Sequence, residues 1–372
     1  MNVIFRADAS LQMGTGHVMR CLTLAEALKA KGAECQFICR EHTGNLIEHL
    51  RHKGYRVHVL AIASPVSILT AMDESPTRPQ LAHAGWLGAT QEQDALECAS
   101  LIAELQPNWL IVDHYALDAR WEIALQPHYR KLMVIDDLAD RQHASDLLLD
   151  QTFGRDPKAY QPWVSASCSV LCGSQYALLR PEFSALREYS LKRREPPQLE
   201  HLLITMGGVD KDNATGNILI ALKSSELPIG CRVTVVMGAS APWINDIRQK
   251  AAQLPWPTEV LVNVSDMAQL MANSDLAIGA AGSTSWERCC LGLPSLMVVL
   301  ADNQRSIAKA LQDTGASKII GDSSSDVTIY ELITELVSNT QNLGCMSDAA
   351  RQVADGKGTA RVVSYLFAKG HA

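Results

Sequence analysis

The strongest constraint on the fold is an alternation of short apolar segments with longer amphipathic ones, which runs along the 372 residues twice. In the first half, the predicted strands are residues 2–5, 34–39, 55–60, 109–112, 132–135, 147–149 and 169–172, with helices at 18–31, 45–53 and 91–105. Strands that alternate with helices predict a parallel sheet covered by helices on both faces. Residues 64–87 interrupt the pattern with Pro, Ser and Ala, which predicts an irregular insertion.

The alternation stops at a charged, Pro-containing run near residues 186–200 and then begins again. The second set of predicted strands is 201–205, 232–237, 259–262, 276–278 and 295–299, with helices at 213–224, 244–253, 266–273, 285–291 and 304–313. We therefore predict an α/β protein of two Rossmann-like, doubly wound domains that face each other across a cleft. Their predicted bounds are 1–190 and 201–358, with a linker at 191–200 and a C-terminal helix at 359–372 that can return to the N-terminal domain.

Charge and hydropathy exclude several classes of protein. With 33 Lys and Arg against 40 Asp and Glu, the net charge of −7 disfavours a nucleic-acid surface, which needs clustered positive charge. No apolar run is long enough to predict a membrane-spanning helix, and the charged N-terminus is unlike a signal peptide. The ten scattered cysteines are typical of reduced thiols. We predict a cytoplasmic protein, and a monomer because no coiled-coil repeat occurs.

The first of three glycine-rich turns contains Gly14, Gly16 and His17. It opens a predicted helix, whose N-terminus favours an anion, and the glycines let a ligand approach the backbone. Neither the dinucleotide motif nor a Walker A loop is present, which disfavours NAD and ATP. The helix dipole disfavours a charged ring at His17, so the neutral imidazole can accept a proton from water. Alternatively, His17 only hydrogen-bonds its own turn.

Two further glycine-rich turns lie in the second half. Gly207 and Gly208 follow a predicted strand, and their N–H groups can meet a phosphate, although an ordinary strand-to-helix turn is equally consistent. The other turn contains Gly282, Ser283 and Thr284, small residues against which a ligand can lie. Glu287 follows in the first helical turn, where a carboxylate can accept two ribose hydroxyls or, alternatively, remain solvated and stabilised by the dipole.

Polar residues also end the strands of the first half: Asp8, Asp113, His114, Tyr115, Asp136 and Asp137. The pair of adjacent aspartates is compatible with a metal. However, the sequence contains no H-E-x-x-H motif and no His pair at i,i+4, so we predict no metal site and no cofactor. The G-x-S-x-G motif of α/β-hydrolase serine enzymes is also absent.

Seven motifs in order resemble those of the UDP-2,4-diacetamido-2,4,6-trideoxy-β-L-altropyranose hydrolases of pseudaminic acid biosynthesis. They are FRADAS (5–10), GTGHVMRCLTLA (14–25), IVDHY (111–115), IDDLA (135–139), LRPEF (179–183), TMGG (205–208) and ADNQ (301–304). The second half also resembles the UDP-sugar-binding half of the lipid II N-acetylglucosaminyltransferases, at 282–287 and 292–294.

The resemblance implies a GT-B arrangement, a UDP-sugar held mainly by the C-terminal domain, and metal-independent release of UDP by water attack at C1 with inversion. It implies that His17 is catalytic, that Tyr115 and Asn303 border the sugar, and that Glu287 binds ribose. Arg20 and Gln304 lie within the matching motifs and are taken as substrate-binding residues. Because UDP is a good leaving group, the enzyme chiefly has to place water and stabilise the diphosphate; Asp8 is a candidate auxiliary catalytic carboxylate.

Three other functions remain open. A glycosyltransferase would move the same sugar to an acceptor, a non-catalytic sugar-nucleotide-binding protein would not need His17, and an epimerase would return a nucleotide sugar or a 2-epimer. Analysis of the products separates all three from a hydrolase.

Overall fold

A computed structural model describes residues 1–63, 81–320 and 328–370 of the chain. These residues divide into two compact units. Unit 1 contains Met1–Leu178 and the C-terminal segment from Thr359, and unit 2 is Leu179–Gly358. Most of the predicted insertion, residues 64–80, lies outside the described residues, and Ala84–Trp86 form a short 3-10 turn.

Unit 1 is built on a parallel sheet with strand order β3-β2-β1-β4-β5-β6-β7. Its strands are β1 (Asn2–Ala7), β2 (Glu34–Arg40), β3 (Arg56–Leu60), β4 (Trp109–Asp113), β5 (Lys131–Ile135), β6 (Leu147–Asp150) and β7 (Ser169–Cys172). Its helices are α1 (Gly16–Lys29), α2 (Ile47–His52), α3 (Gln91–Leu105) and α4 (Ala119–Leu125).

Both faces of the unit 1 sheet are covered, which explains why its central strands are mostly apolar. In β1, Val3 and Phe5 pack into a cluster with Leu24 of α1. Ile4 points to the other face and packs into a second cluster with Trp121. This is the pattern expected of a parallel sheet between two helical layers.

Unit 2 has a second parallel sheet, with strand order β10-β9-β8-β11-β12-β13. Its strands are β8 (His201–Thr205), β9 (Arg232–Met237), β10 (Thr258–Val262), β11 (Leu276–Ala280), β12 (Ser295–Val298) and β13 (Ser317–Ile319). Its helices are α5 (Pro181–Arg193), α6 (Ala214–Leu222), α7 (Ile244–Ala251), α8 (Met267–Ala272), α9 (Thr284–Cys290), α10 (Arg305–Asp313), α11 (Ile329–Ser338) and α12 (Gln341–Val353).

The boundary between the units differs from the predicted linker at 191–200. The chain enters unit 2 at Leu179, and α5 packs there through polar groups. Arg187 donates to the carbonyls of Ala354 and Arg351, and Ser190 donates to the carbonyl of Leu291. Because these contacts use guanidinium and hydroxyl groups, α5 lacks the apolar periodicity that sequence analysis requires for a helix.

The last helix, α13 (Gly358–Gly370), has its described residues from Thr359 onward in unit 1. Val362 and Leu366 are fully buried in the cluster that contains Val3 and Phe5. The indole N–H of Trp109 donates to the carbonyl of Leu366 at 3.2 Å. Within the described residues, no helix combines the length and apolar character needed to cross a membrane.

Candidate active site

The register of the unit 1 sheet brings several polar residues to one edge. Ala7 at the end of β1 pairs with Asp113 at the end of β4, and Val112 pairs with Val134 near the end of β5. The residues that follow these strands, together with the turn before α1, therefore meet at the carboxyl edge of the sheet. This is where ligands bind in open α/β sheets.

His17 and Asp113 form a hydrogen-bonded pair at this edge. His17 lies in the first turn of α1 and is 7% exposed, whereas Asp113 is fully buried. The Nδ1 atom of His17 is 2.6 Å from Oδ1 of Asp113. Because an ionised carboxylate only accepts hydrogen bonds, Nδ1 carries a proton, and in the neutral ring the lone pair is then on Nε2.

Arg20 keeps Asp113 ionised. Its Nε and Nη2 atoms lie 2.6 and 2.7 Å from the two oxygens of Asp113, and its Nη1 atom lies 3.2 Å from Asp137. Burial raises the pKa of Asp113, but the charges and hydrogen bonds of Arg20 and His17 outweigh this and hold that pKa well below its usual range. All three guanidinium nitrogens of Arg20 therefore contact carboxylates, and its predicted part in substrate binding stays a prediction.

Tyr115 packs edge-on against His17, with ring centroids 4.6 Å apart and an interplanar angle of 87°. Its hydroxyl donates to Oδ1 of Asp137, and the Arg141 guanidinium lies 5.8 Å from its ring centroid. Burial and the Asp137 carboxylate raise the pKa of Tyr115 well above its usual value. Tyr115 therefore stays protonated and holds the imidazole in place, rather than exchanging protons.

Asp8 is not part of the exposed site. Its side chain is fully buried, with Oδ1 2.6 Å from Nη1 of Arg6 and 2.7 Å from the backbone N of Arg40. Oδ2 lies 3.4 Å from Nε2 of His114, whose Nδ1 accepts from the N–H of Ala116. Asp8 thus ties the ends of three adjacent strands together, and its predicted role as an auxiliary catalytic carboxylate does not fit this burial.

The glycines before α1 shape the approach to His17. Gly14 has φ +77° and exchanges two backbone hydrogen bonds with Ser10, and a Cβ at this position would meet no other atom within 4 Å. Gly16 is exposed and begins α1, and Thr15 gives that helix no side-chain cap. The first N–H groups of the helix are thus left for solvent or an anion beside His17.

In unit 2, the turns after β8 and β11 lie at one edge because Thr205 pairs with Gly279. Gly207 has φ +92°, and a Cβ there would meet open space. Gly208 packs closely against Gly238. A Cβ built at Gly238 would lie 1.9 Å from the carbonyl oxygen of Gly208. The backbone of this turn is therefore close to the end of β9 and open at Gly207.

The third glycine-rich turn lies close to Gln304, one of the residues predicted to bind the substrate. A Cβ at Gly282 would lie 4.0 Å from Nε2 of Gln304, whose Oε1 accepts from the N–H of Leu300. Ser283 precedes α9 without making a side-chain cap, and Thr284 accepts from Arg288 at 3.2 Å. Asn303 is exposed in the 3-10 turn Asp302–Gln304.

Glu287 projects from α9 and is partly buried. Burial raises the pKa of Glu287 to about 7, against the opposing charges of Arg180 and Arg288. Across the described residues, its carboxylate has no hydrogen-bond or ion-pair partner. A partly buried carboxylate without a donor is suited to accept hydroxyl groups of a ligand.

Asp113 and Asp137 were noted at strand ends, and apart from the metal considered for the adjacent aspartates they were given no role. The signal was their position after adjacent buried strands, and what was missing was the pairing with His17, Arg20 and Tyr115. Among residues 1–63, 81–320 and 328–370, no group of three or more His, Cys, Asp or Glu side chains is arranged to hold a metal ion.

Comparison with known proteins supports the fold and the class of chemistry. Residues 216–361 match the model of the glycosyltransferase family 28 C-terminal domain. Over 317 residues the chain is 26% identical to the UDP-2,4-diacetamido-2,4,6-trideoxy-β-L-altropyranose hydrolase of Campylobacter jejuni, covering 85% of this chain and 97% of the relative. The resemblance predicted from the motifs is thereby confirmed.

Glycosyltransferases are also similar to this chain. Over 216 residues it is 34% identical to the UDP-N-acetylglucosamine–N-acetylmuramyl-(pentapeptide) pyrophosphoryl-undecaprenol N-acetylglucosamine transferase of Hahella chejuensis, covering 56% of this chain and 58% of the relative. The crystal structure of Acinetobacter baumannii MurG superposes with a TM-score of 0.69 at 18% identity, covering 99% of both chains. The predicted fold class, two Rossmann-like domains of the GT-B type, is confirmed.

Proposed function

We propose that the protein is a hydrolase that releases UDP from UDP-2,4-diacetamido-2,4,6-trideoxy-β-L-altropyranose. Water attacks the anomeric carbon, the bond between C1 and the diphosphate oxygen breaks, and the sugar leaves with inverted configuration. The similarity to the Campylobacter jejuni relative over nearly its whole length supports this choice of substrate.

The observation that carries the proposal is the 2.6 Å contact between Nδ1 of His17 and Asp113. It directs the basic Nε2 lone pair of His17 away from the carboxylate, so that it can take the proton from the attacking water. One positioned base of this kind contributes roughly 10²–10⁴-fold to the rate. The bonding electrons of the C1–O bond leave with UDP, whose diphosphate needs little protonation.

Each unit has a separate part in this scheme. Unit 1 supplies the base, with Asp113, Arg20 and Tyr115 as positioning residues and the open N–H groups after Gly14 as stabilisers of negative charge. Unit 2 supplies the nucleotide-binding groups: the turns at 207–208 and 282–284, Asn303, Gln304 and Glu287. The carboxylate of Glu287, which has no partner among the described residues, is assigned to the ribose hydroxyls.

The decisive experiment is hydrolysis of this UDP-sugar in ¹⁸O-water, with and without EDTA. Label in the free sugar and none in UDP is expected for attack at C1. Label in the UDP phosphate would place the attack at phosphorus and remove His17 from the proposed role. His17→Ala should bind UDP nearly as tightly as the wild type but lose turnover, while the exposed His52→Ala is the matched control.

A glycosyltransferase is the second candidate, favoured by the family 28 domain match and by the transferase relatives. It would transfer the same sugar to an acceptor hydroxyl in place of water. Product analysis with and without acceptor distinguishes the two, because a hydrolase yields free sugar in both cases. Tight binding without turnover would instead indicate a binding protein, and a 2-epimer would indicate an epimerase. The monomeric state and cytoplasmic location stay predictions.

A further inference from the structure

Two aromatic side chains extend the site beyond the residues described so far. The rings of His83 and Trp86 lie 4.4 Å apart, and their centroids are 5.3 and 5.8 Å from that of Tyr115. Tyr115 itself is 5% exposed and packs on His17 at 4.6 Å. His83 and Trp86 are only partly buried, so they present aromatic surface where Tyr115 does not.

The backbone that follows these rings is firmly anchored. Leu87, next to Trp86, is 1% exposed in the core cluster beside α3. Gly88 has φ +70°, and a Cβ there would lie 2.8 Å from His42 and 3.2 Å from Arg40, so this position requires glycine. Thr90 then caps α3 by accepting from the N–H of Gln93. The packing of Leu87, Gly88 and Thr90 thus fixes where the chain carrying the two rings joins α3.

We propose that His83 and Trp86 form an aromatic wall of the sugar subsite, against which an apolar face of the substrate's N-acetylated deoxyhexose packs. This inference rests on the proposed function, which places the anomeric carbon beside His17. Ligand sites are lined mainly by apolar and aromatic groups with few polar ones, and an aromatic ring gives large contact area to methyl and ring C–H groups.

The chemistry of the sugar matches such a wall. A 2,4-diacetamido-2,4,6-trideoxyhexose carries a C6 methyl and two acetamido methyl groups in place of hydroxyls, which increases its apolar surface. Burial lowers the pKa of His83, so its ring is uncharged near neutral pH and can contact apolar groups. The aromatic wall therefore determines specificity for the sugar and leaves the uridine diphosphate unaffected.

The test compares Trp86→Ala, Trp86→Phe and His83→Ala with wild type in two measurements: KM for hydrolysis of the UDP-sugar, and Kd for UDP alone by calorimetry. Trp163→Ala, which removes a partly buried indole elsewhere in unit 1, is the matched control. We expect Trp86→Ala to raise KM by about 5- to 10-fold, His83→Ala by less, and Trp86→Phe by under about threefold. Kd for UDP should change less than about twofold.

An unchanged KM in Trp86→Ala, or an equal loss of UDP affinity, would overturn the aromatic wall. So would an equal KM increase in Trp86→Phe, because the phenyl ring retains the stacking surface. If the proposed function itself is wrong, the wild-type protein will release no free sugar. In that case the ratio of Kd for the UDP-sugar to Kd for UDP tests the wall directly, and an unchanged ratio in Trp86→Ala would refute it.

Discussion

Arg20 donates to both carboxylate oxygens of Asp113, with Nε 2.6 Å from Oδ2 and Nη2 2.7 Å from Oδ1. The same Asp113 oxygen that accepts from Nη2 also faces Nδ1 of His17. The carboxylate therefore transmits the orientation of the arginine to the imidazole, since a bidentate pair fixes direction as well as distance. We therefore propose that Arg20 acts through Asp113 and not on the substrate.

Arg20→Lys is expected to lower kcat by about 10- to 100-fold with the Kd for UDP unchanged, because an ammonium group cannot make the bidentate contact and also reach Asp137. Arg20→Ala is expected to cost about 3–5 kcal/mol of unfolding free energy as well, because it leaves a buried carboxylate without its cation. Urea unfolding and steady-state kinetics measure the two effects. Weaker UDP binding in Arg20→Lys would instead make Arg20 a phosphate ligand.

Asp113→Asn should reduce kcat by roughly 10²–10⁴-fold. The amide removes the charge that holds the proton on Nδ1 of His17 and, if its NH₂ faces the ring, moves the proton to Nε2, the atom proposed as the base. UDP affinity within about twofold of wild type serves as the control for correct folding. Retention of normal kcat would show that the tautomer of His17 does not matter for turnover.

Asp8→Asn tests the buried network behind the site. Burial raises the pKa of Asp8, but the charge of Arg6 and the nearby imidazoles of His114 and His42 hold it well below the usual value. A lowered folded-state pKa stabilises the fold above the unfolded-state pKa of about 3.9, and this stabilisation is lost as pH falls through the folded-state value.

At neutral pH we therefore expect Asp8→Asn to lower the unfolding free energy by about 3–5 kcal/mol, since it leaves Arg6 less compensated. The difference from wild type should narrow as the pH falls below about 4. Asp313→Asn, which breaks an exposed pair with Lys309, is the matched control and should cost under about 1 kcal/mol. An equally small effect of Asp8→Asn, measured by denaturant unfolding, would count against a structural role for Asp8.

The elements that the sequence predicted best are those whose signals are local. Helix α3 was predicted at residues 91–105, as observed, and the structure shows that Thr90 caps its first turn. Helix α5 was taken in part as linker because its buried side uses Arg187 and Ser190 to reach backbone carbonyls. Such polar packing leaves no periodic trace in the sequence.

The same distinction applies to the site. His17 was identified from its glycine-rich turn, a local feature. Its partner Asp113 lies 96 residues away, and only the pairing of β1 with β4 brings the two together. Asp8 was a candidate auxiliary catalytic carboxylate because it follows a strand, whereas Arg6 and Arg40 contact it in the protein interior. Trp86 carried no signal, because it lay in a segment without periodicity.

The pH dependence of UDP binding should report on Glu287. Burial raises the pKa of Glu287 to about 7, and the carboxylate accepts two hydroxyls only when it is ionised. UDP affinity should therefore be highest above pH 8 and fall towards tenfold per unit below pH 7. Calorimetric Kd values between pH 5.5 and 8.5 measure this. Glu287→Gln should bind weakly with a flatter profile; a profile equal to wild type would exclude the carboxylate from binding.

The raised pKa of Glu287 affects folding stability in the opposite pH direction from UDP binding. The folded state of Glu287 binds its proton more tightly than the unfolded state, whose pKa lies near 4.3. Its contribution therefore favours folding below about pH 4.3 and is lost as the pH rises to about 7. Glu287→Gln should remove this dependence, so its unfolding free energy should exceed that of wild type at pH 8 by more than at pH 5.

Helix α13 contributes Leu366 to the core of unit 1, and this contribution can be tested by mutation. Leu366 is fully buried in the cluster that holds Val3 and Phe5, although it follows the whole of unit 2 in sequence. Leu366→Ala should lower the unfolding free energy of unit 1 by about 2–5 kcal/mol, because the cavity lies in a packed core. Ser364→Ala, at an exposed position of the same helix, is the control and should have little effect. Hydrogen exchange resolves the two units, and faster exchange in β1 than in β8 is expected for Leu366→Ala. Equal acceleration in both strands would mean that the units unfold together.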